Sequence, residues 1–261
     1  MSASLHAEWT KLRTVPGPGW LLLAVVAATV GLGAIAAGGL SCHPGRCAAG
    51  AVDATRLSLT GVQLGQVVVA VLAVLVIGGE YGTGMIRTTL TAMPRRAEVL
   101  AAKAATLTGL VLVAGTVAVL GSLLTGRLVL PGRGLTVAAG FAPLSLADGP
   151  TLRAAVGSVL YLALVALLSL GIAAIARDSA TAIGAVLGLL FLFPILADVV
   201  ADPAWRRHLE QLSPSVAGLS IQRTIGLDAL AISPWGGLGV LAAWAAAALL
   251  AGALVLRTRD A

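Results

Sequence analysis

Six long apolar runs separated by polar breaks set the pattern of this chain. They cover residues 19–40, 57–79, 100–124, 152–176, 180–200 and 234–256. A helix of about 20 apolar residues crosses about 30 Å of hydrocarbon, so each run predicts a membrane-spanning helix. The fold class is therefore an all-α polytopic membrane protein, and residues 1–261 form one transmembrane domain. An even number of spans puts both termini on one face. Lys11 and Arg13 precede the first run, and Ala34-Ile35-Ala36 has the form of a signal cleavage site. The run is long for a signal core, so it is expected to remain as a span.

The polar breaks carry further pattern. Leu5, Trp9 and Leu12 recur at i, i+4 and i+7, predicting an amphipathic helix lying on the bilayer surface with its Trp at headgroup depth. A tail whose basic residues only set topology is the alternative. Pro16-Gly17-Pro18-Gly19 predicts a break before span one. The first outer loop, Ser41 to Arg56, holds Cys42 and Cys47, which could close a small disulfide ring or stay as thiols. With His43 they fall short of a four-ligand metal set, so no metal is expected.

Within the spans, Gly61 and Gly65 in span two and Gly184 and Gly188 in span five have the spacing that lets helix backbones approach in lipid. Gln63 and Gln66 share one face of span two, either lining a pathway or bonding to a neighbouring helix. Between spans five and six, Asp202-Pro203, Ser213-Pro214 and Ser233-Pro234 each pair a capping side chain with Pro at the first helical position. They predict two short outer helices and the start of span six. Trp205, Leu209 and Leu212 give the first of these an apolar face, and Asp198 is an interfacial carboxylate at the end of span five.

Composition sharpens the class. The chain is 58% hydrophobic and 11% charged, less than half the charged share of about 25% usual in soluble domains. Its net charge of +6 raises nucleic acid as a partner. The basic residues are scattered at the ends of apolar runs and form no continuous patch, so nucleic acid is not expected as a partner. Arg outnumbers Lys and Ala and Gly are abundant, as in proteins of high-GC bacteria. With cytoplasmic termini, the inner segments hold Lys11, Arg13, Arg87, Arg95, Arg96, Lys103, Arg177, Arg257 and Arg259, nine against the eight of the outer segments; the inner segments are much shorter, so the positive-inside bias is one of density rather than of count. The three His are dispersed and no G-x-S-x-G elbow occurs, which argues against a membrane protease or esterase. No phosphate-loop motif occurs either, so this chain binds no ATP by that means.

The segment from Glu80 to Lys103 is the most informative break. Gly82 and Gly84 permit a sharp turn, and Ile86, Leu90 and Met93 fall on one stripe of a short helix. Arg87 lies on another side. Pro94 ends that helix and can open the next, through Arg95 and Arg96 into span three. Physically this is a basic helical knuckle at the membrane face. It either receives a soluble partner or marks topology alone.

The run Glu80-Tyr81-Gly82-Thr83-Gly84-Met85-Ile86-Arg87-Thr88-Thr89-Leu90, with Met93-Pro94-Arg95-Arg96 and Lys103, resembles the signature of actinobacterial ATP-binding-cassette (ABC) transporter permeases of the type 2, exporter-like class. The opening His6-Ala7-Glu8-Trp9-Thr10-Lys11 and closing Leu256-Arg257-Thr258-Arg259 resemble the same family's ends, so the similarity covers essentially the whole chain. The resemblance implies a permease subunit in the bacterial cell membrane, paired with a second copy or a paralogue. A separate cytoplasmic ATPase would bind ATP and Mg. The resemblance also puts Glu80, Tyr81, Gly82, Thr83, Gly84, Arg87, Pro94, Arg95 and Arg96 at or near the ATPase-coupling surface. A scaffold or regulatory subunit docking a cytoplasmic partner through the same loop is the alternative, and no cargo is implied.

Overall fold

The computed structural model of the chain describes residues 16–39, 52–82, 96–136, 141 and 144–258. Helix α1 is Pro16–Gly39. A short α2, Ala54–Ser58, leads into α3, Val62–Gly82. Then come α4 (Arg96–Val129), α5 (Gly149–Ala176) and α6 (Ser179–Val199). Two short helices, α7 (Pro203–Leu212) and α8 (Pro214–Leu219), precede α9, Pro234–Thr258. Among the described residues, six helices are long and apolar enough to cross a membrane: α1, α3, α4, α5, α6 and α9. The six-span, all-α expectation holds.

Two boundaries depart from the sequence reading. The expected break at Pro16-Gly17-Pro18-Gly19 is instead the first turn of α1. A first-turn residue has no intrahelical acceptor for its N–H, so Pro is accommodated there. Span two was expected to run unbroken from Leu57, but the chain bends between α2 and α3. Asp53 caps α2 by accepting from Arg56 N at 3.0 Å. Tight turns follow, with Thr60 N donating to Leu57 O at 3.3 Å and Val62 N to Leu59 O at 3.0 Å. The bend brings Gly61 against α1, where a Cβ would overlap Thr29 O, and a Cβ on Gly65 would overlap Thr29 Oγ1.

Helix α5 is the axis of the bundle. Its most apolar stretch is 61% buried, against 22% for α1 and for α6, so those two helices form the outer faces. Helix α5 packs on α9, α3, α4 and α6, while α1 packs on α4 and α3. The α5–α9 contact is close because small residues meet there. A Cβ on Gly171 would lie 2.5 Å from Ala248 C, and one on Gly252 would lie 3.0 Å from Gly171 O. In lipid, where apolar burial gives no net drive between helices, such close approach is the main source of association.

The two short helices form from the expected caps. Asp202 accepts from Ala204 N at 2.8 Å and Ser213 from Val216 N at 3.2 Å. Their placements differ. Helix α7 has no buried residue, with Trp205 and Leu212 exposed, whereas α8 and the 3-10 turn Ser220–Gln222 are wedged into the bundle between α5, α6 and α9.

Candidate sites at the two ends of the bundle

Helices alternate in direction, so the C-terminus of α3, the N-terminus of α4, the α5–α6 connection and the C-terminus of α9 share one end. Glu80, Tyr81 and Gly82 form the last turn of α3 and Arg96 is the first residue of α4. The turn expected at Gly82 therefore starts after it, since the helix runs through that residue. Thr83, Gly84, Arg87, Pro94 and Arg95 lie outside the described residues, as do Leu5, Trp9 and Leu12 and the cysteines Cys42 and Cys47.

What the described residues bring together at this end is a three-helix junction that centres on Arg177. Helix α5 stops at Arg177, which adopts a left-handed backbone, φ 58°, uncommon for a side chain with a Cβ. Asp178 then caps α6, accepting from Thr181 N at 2.7 Å. That backbone hydrogen bond, with another from the Thr181 hydroxyl, holds the Asp178 carboxyl below its usual range. The left-handed turn aims the Arg177 side chain back across the bundle. Its guanidinium stands 6.0 Å from the Tyr81 ring centroid and Nη2 donates to Val255 O at 3.5 Å. The last turns of α3, α5 and α9 are thereby tied through one side chain. Gly78 meets Ser179 so closely that a Cβ would overlap its hydroxyl, and Lys103 is fully buried in α4 nearby.

The opposite end carries a polar lattice. Asp53 accepts from Thr224 N at 2.6 Å and from the Thr224 hydroxyl at 2.8 Å, tying α2 to the chain after α8. The Thr55 and Thr151 hydroxyls are 3.3 Å apart, and Gln222 Nε2 donates to Ser158 Oγ at 3.0 Å. One step deeper, the fully buried Tyr161 donates its hydroxyl to Gln66 Oε1. Gln66 thus bonds to a neighbouring helix. Gln63, one turn nearer the surface, is exposed, and both amides line a cavity of about 320 Å³.

Some functional contacts escaped the sequence reading. Gly184 and Gly188 have nothing within 4 Å of a built Cβ, so among the described residues they pack on no other helix. The α5–α9 contact uses Gly171 with Ala248 and Gly252, a small-x-x-x-small pair on α9 that the sequence does contain. Asp198 makes only a long ion pair, 4.0 Å, to Arg206 on α7. Pro194 interrupts α6, and Ser215 Oγ on α8 donates to Leu190 O at 2.5 Å, the carbonyl whose helical donor the proline ring removes. Nothing local in the sequence pairs Ser215 with a carbonyl 25 residues away.

Six spans, a wedge of short helices at one face and a side-chain junction at the other define a polytopic membrane protein. The family model for ABC-2 family transporter protein matches residues 47–261, which is most of the chain. The chain therefore belongs to the ABC-2 transporter family, whose members are membrane subunits of ABC transporters and associate with a cytoplasmic ABC ATPase. No curated protein matches it.

Proposed function

We propose that this chain is the permease of an ATP-driven exporter, working as a pair with a second copy or a paralogue. It resides in the bacterial cell membrane with both termini in the cytoplasm. It binds neither ATP nor Mg itself; the partner ATPase does. The segment from Glu80 to Arg96 is the surface on which that ATPase acts, with the amphipathic segment around Leu5, Trp9 and Leu12 as its second contact.

The observation that carries this reading is the Arg177 junction. The coupling segment hangs between the last turn of α3 and the first turn of α4. A push on it reaches Tyr81 directly, and Tyr81 is tied through Arg177 to α5 and α9. A loop that only marked topology would have no need of a strained, non-glycine turn holding three helix ends together; such strain persists where its surroundings over-determine it.

The test is co-purification with the co-expressed ATPase subunit, followed by ATPase and transport assays on the complex. Arg87→Glu should weaken assembly or uncouple hydrolysis from transport, because a charge-assisted pair truncated at an interface costs about 2–5 kcal/mol. Membrane insertion should be unaffected, and Arg133→Glu on the opposite face should change little. An Arg87→Glu protein that assembles and transports normally refutes the coupling role. Binding of a partner without any transport would instead identify a scaffold.

A further inference from the structure

The cavity at the end remote from the Arg177 junction has a definite chemical character. Arg56 of α2 and Arg223, just after α8, line it at the polar side, and Gln63 and Gln66 line it along α3. Leu190, Phe191 and Pro194 of α6 form an apolar wall. Two carboxylates stand at the site and each has its own donors. Asp53 is filled by main-chain and hydroxyl donors of Thr224 and by Arg56 N, and Glu210, which also lines the cavity, accepts from Arg206 Nε at 3.1 Å. Among the described residues neither the Arg56 nor the Arg223 guanidinium donates a hydrogen bond to a protein acceptor. Arg153 Nη2 reaches the main-chain carbonyl of Arg223 and so fixes the backbone that presents it.

We propose that this cavity binds an anionic amphiphile, its phosphate headgroup held between Arg56 and Arg223 and its alkyl chain laid along Phe191 of α6. Planar guanidiniums suit a phosphate because each can give two parallel hydrogen bonds. Burial first, and then the charge of Arg223, lowers the Arg56 pKa against the smaller opposing pull of Asp53, and an anion between the two cations would act in the opposite sense. The volume, about 320 Å³, is that of about ten waters. It holds a headgroup and a few methylenes, not a whole lipid, so the tail must leave. The exit follows the exposed apolar face of α6, where Phe191 and Ile195 are one turn apart and 40% and 59% exposed. The site needs only this chain, so its failure and failure of the ATPase-coupling reading are separately detectable.

The experiment uses the purified full chain in a neutral detergent, with binding followed by calorimetry. The probes are dioctanoyl phosphatidic acid, dioctanoyl phosphatidylcholine and inorganic phosphate. Phosphatidic acid should bind saturably and more tightly than either of the others. Arg56→Gln and Arg223→Gln should each weaken it by about ten- to a hundredfold, the loss expected for hydrogen bonds to a charged partner. Arg207→Gln, exposed on α7 and outside the cavity, should leave it unchanged. Thermal unfolding without ligand checks that each variant is folded, and Arg223→Lys should keep part of the affinity. Equal affinity for inorganic phosphate, which would mean a free ion rather than a lipid-like ligand, overturns the proposal. So does equal affinity for phosphatidylcholine, or a folded Arg56→Gln, Arg223→Gln double variant that binds as the parent does.

Discussion

Pro194 removes the donor for Leu190 O inside a spanning helix, and Ser215 supplies a replacement across the bundle at 2.5 Å. Both groups are shielded in the parent, Leu190 fully and Ser215 with 3% of its surface exposed, although both border the cavity described above. Ser215→Ala should therefore strand a carbonyl. Interhelical hydrogen bonds in membranes average about 0.6 kcal/mol and reach about 1.7. The upper end applies here, because in the parent helix the carbonyl has no competing N–H. A cost of about 1.5 kcal/mol would lower the melting temperature by about 3–6 °C at this size. The informative measurement is the double-mutant cycle in reversible denaturation from mixed micelles. Pro194→Ala restores the i→i+4 donor, and in that background Ser215→Ala should cost only a few tenths of a kcal/mol. Equal costs in the two backgrounds would refute the idea that the hydroxyl stands in for the missing amide.

Three further outcomes are expected. With Cys42 and Cys47 replaced, single cysteines near Arg257 should be shielded from an impermeant thiol reagent in intact cells, and one near Arg133 should be labelled; the reverse pattern would invert the orientation. In the parent chain, Cys42 and Cys47 should show no alkylatable thiol after denaturation and two after reduction, whereas thiols before reduction would exclude the ring. Gly171→Ala should destabilise the protein by about 1–3 kcal/mol, because its new Cβ would lie 2.5 Å from the backbone of α9, while Gly184→Ala, in open space, should not; equal effects in an unfolding assay would contradict this helix contact.

The spans were legible because hydrocarbon thickness sets a minimum apolar length, and all six runs exceed it. The outer caps were legible because a Ser or Asp before Pro is a local signal; Asp202, Ser213 and Ser233 each accept from the amides they precede. The bend at Gly61 was not. Leu57 to Gly79 is one apolar run by composition, and what breaks it is the close approach of Thr29 from another helix. The same limit applies to the Arg177 junction. Arg177 looks like an inner-face marker in sequence, and its partners Tyr81 and Val255 lie far from it on either side in sequence. The Gln63–Gln66 face was legible as a face; that Gln66 receives the Tyr161 hydroxyl required the fold. Of the two Gly pairs singled out, Gly61 and Gly65 meet α1 and Gly184 and Gly188 meet nothing among the described residues, a difference that spacing cannot carry.

The distribution of specific ties suggests how the two ends communicate, as a hypothesis resting on the coupling role. Helices α3, α5 and α9 are joined at the Arg177 junction, by Gln66 with Tyr161 and by the Gly171–Gly252 contact. They should move as one body. Helix α6 is only 22% buried and borders the cavity through Leu190, Phe191 and Pro194, so a force on Tyr81 should appear as slippage between α3 and α6. Built Cβ positions allow a direct test, since disulfides need Cβ atoms about 3.5–4.5 Å apart. Gly78 and Ser179 bring theirs to 3.3 Å across the α3–α6 face and Gly252 and Ala174 to 2.9 Å within the rigid group, so each pair reaches that range once its helices part by a few tenths of an ångström. In a background lacking Cys42 and Cys47, oxidising Gly78→Cys with Ser179→Cys should block coupled transport. Oxidising Ala174→Cys with Gly252→Cys should leave it intact. Inhibition by the second bridge and not the first would place the moving surface between α5 and α9, and the rigid group would have to be redrawn.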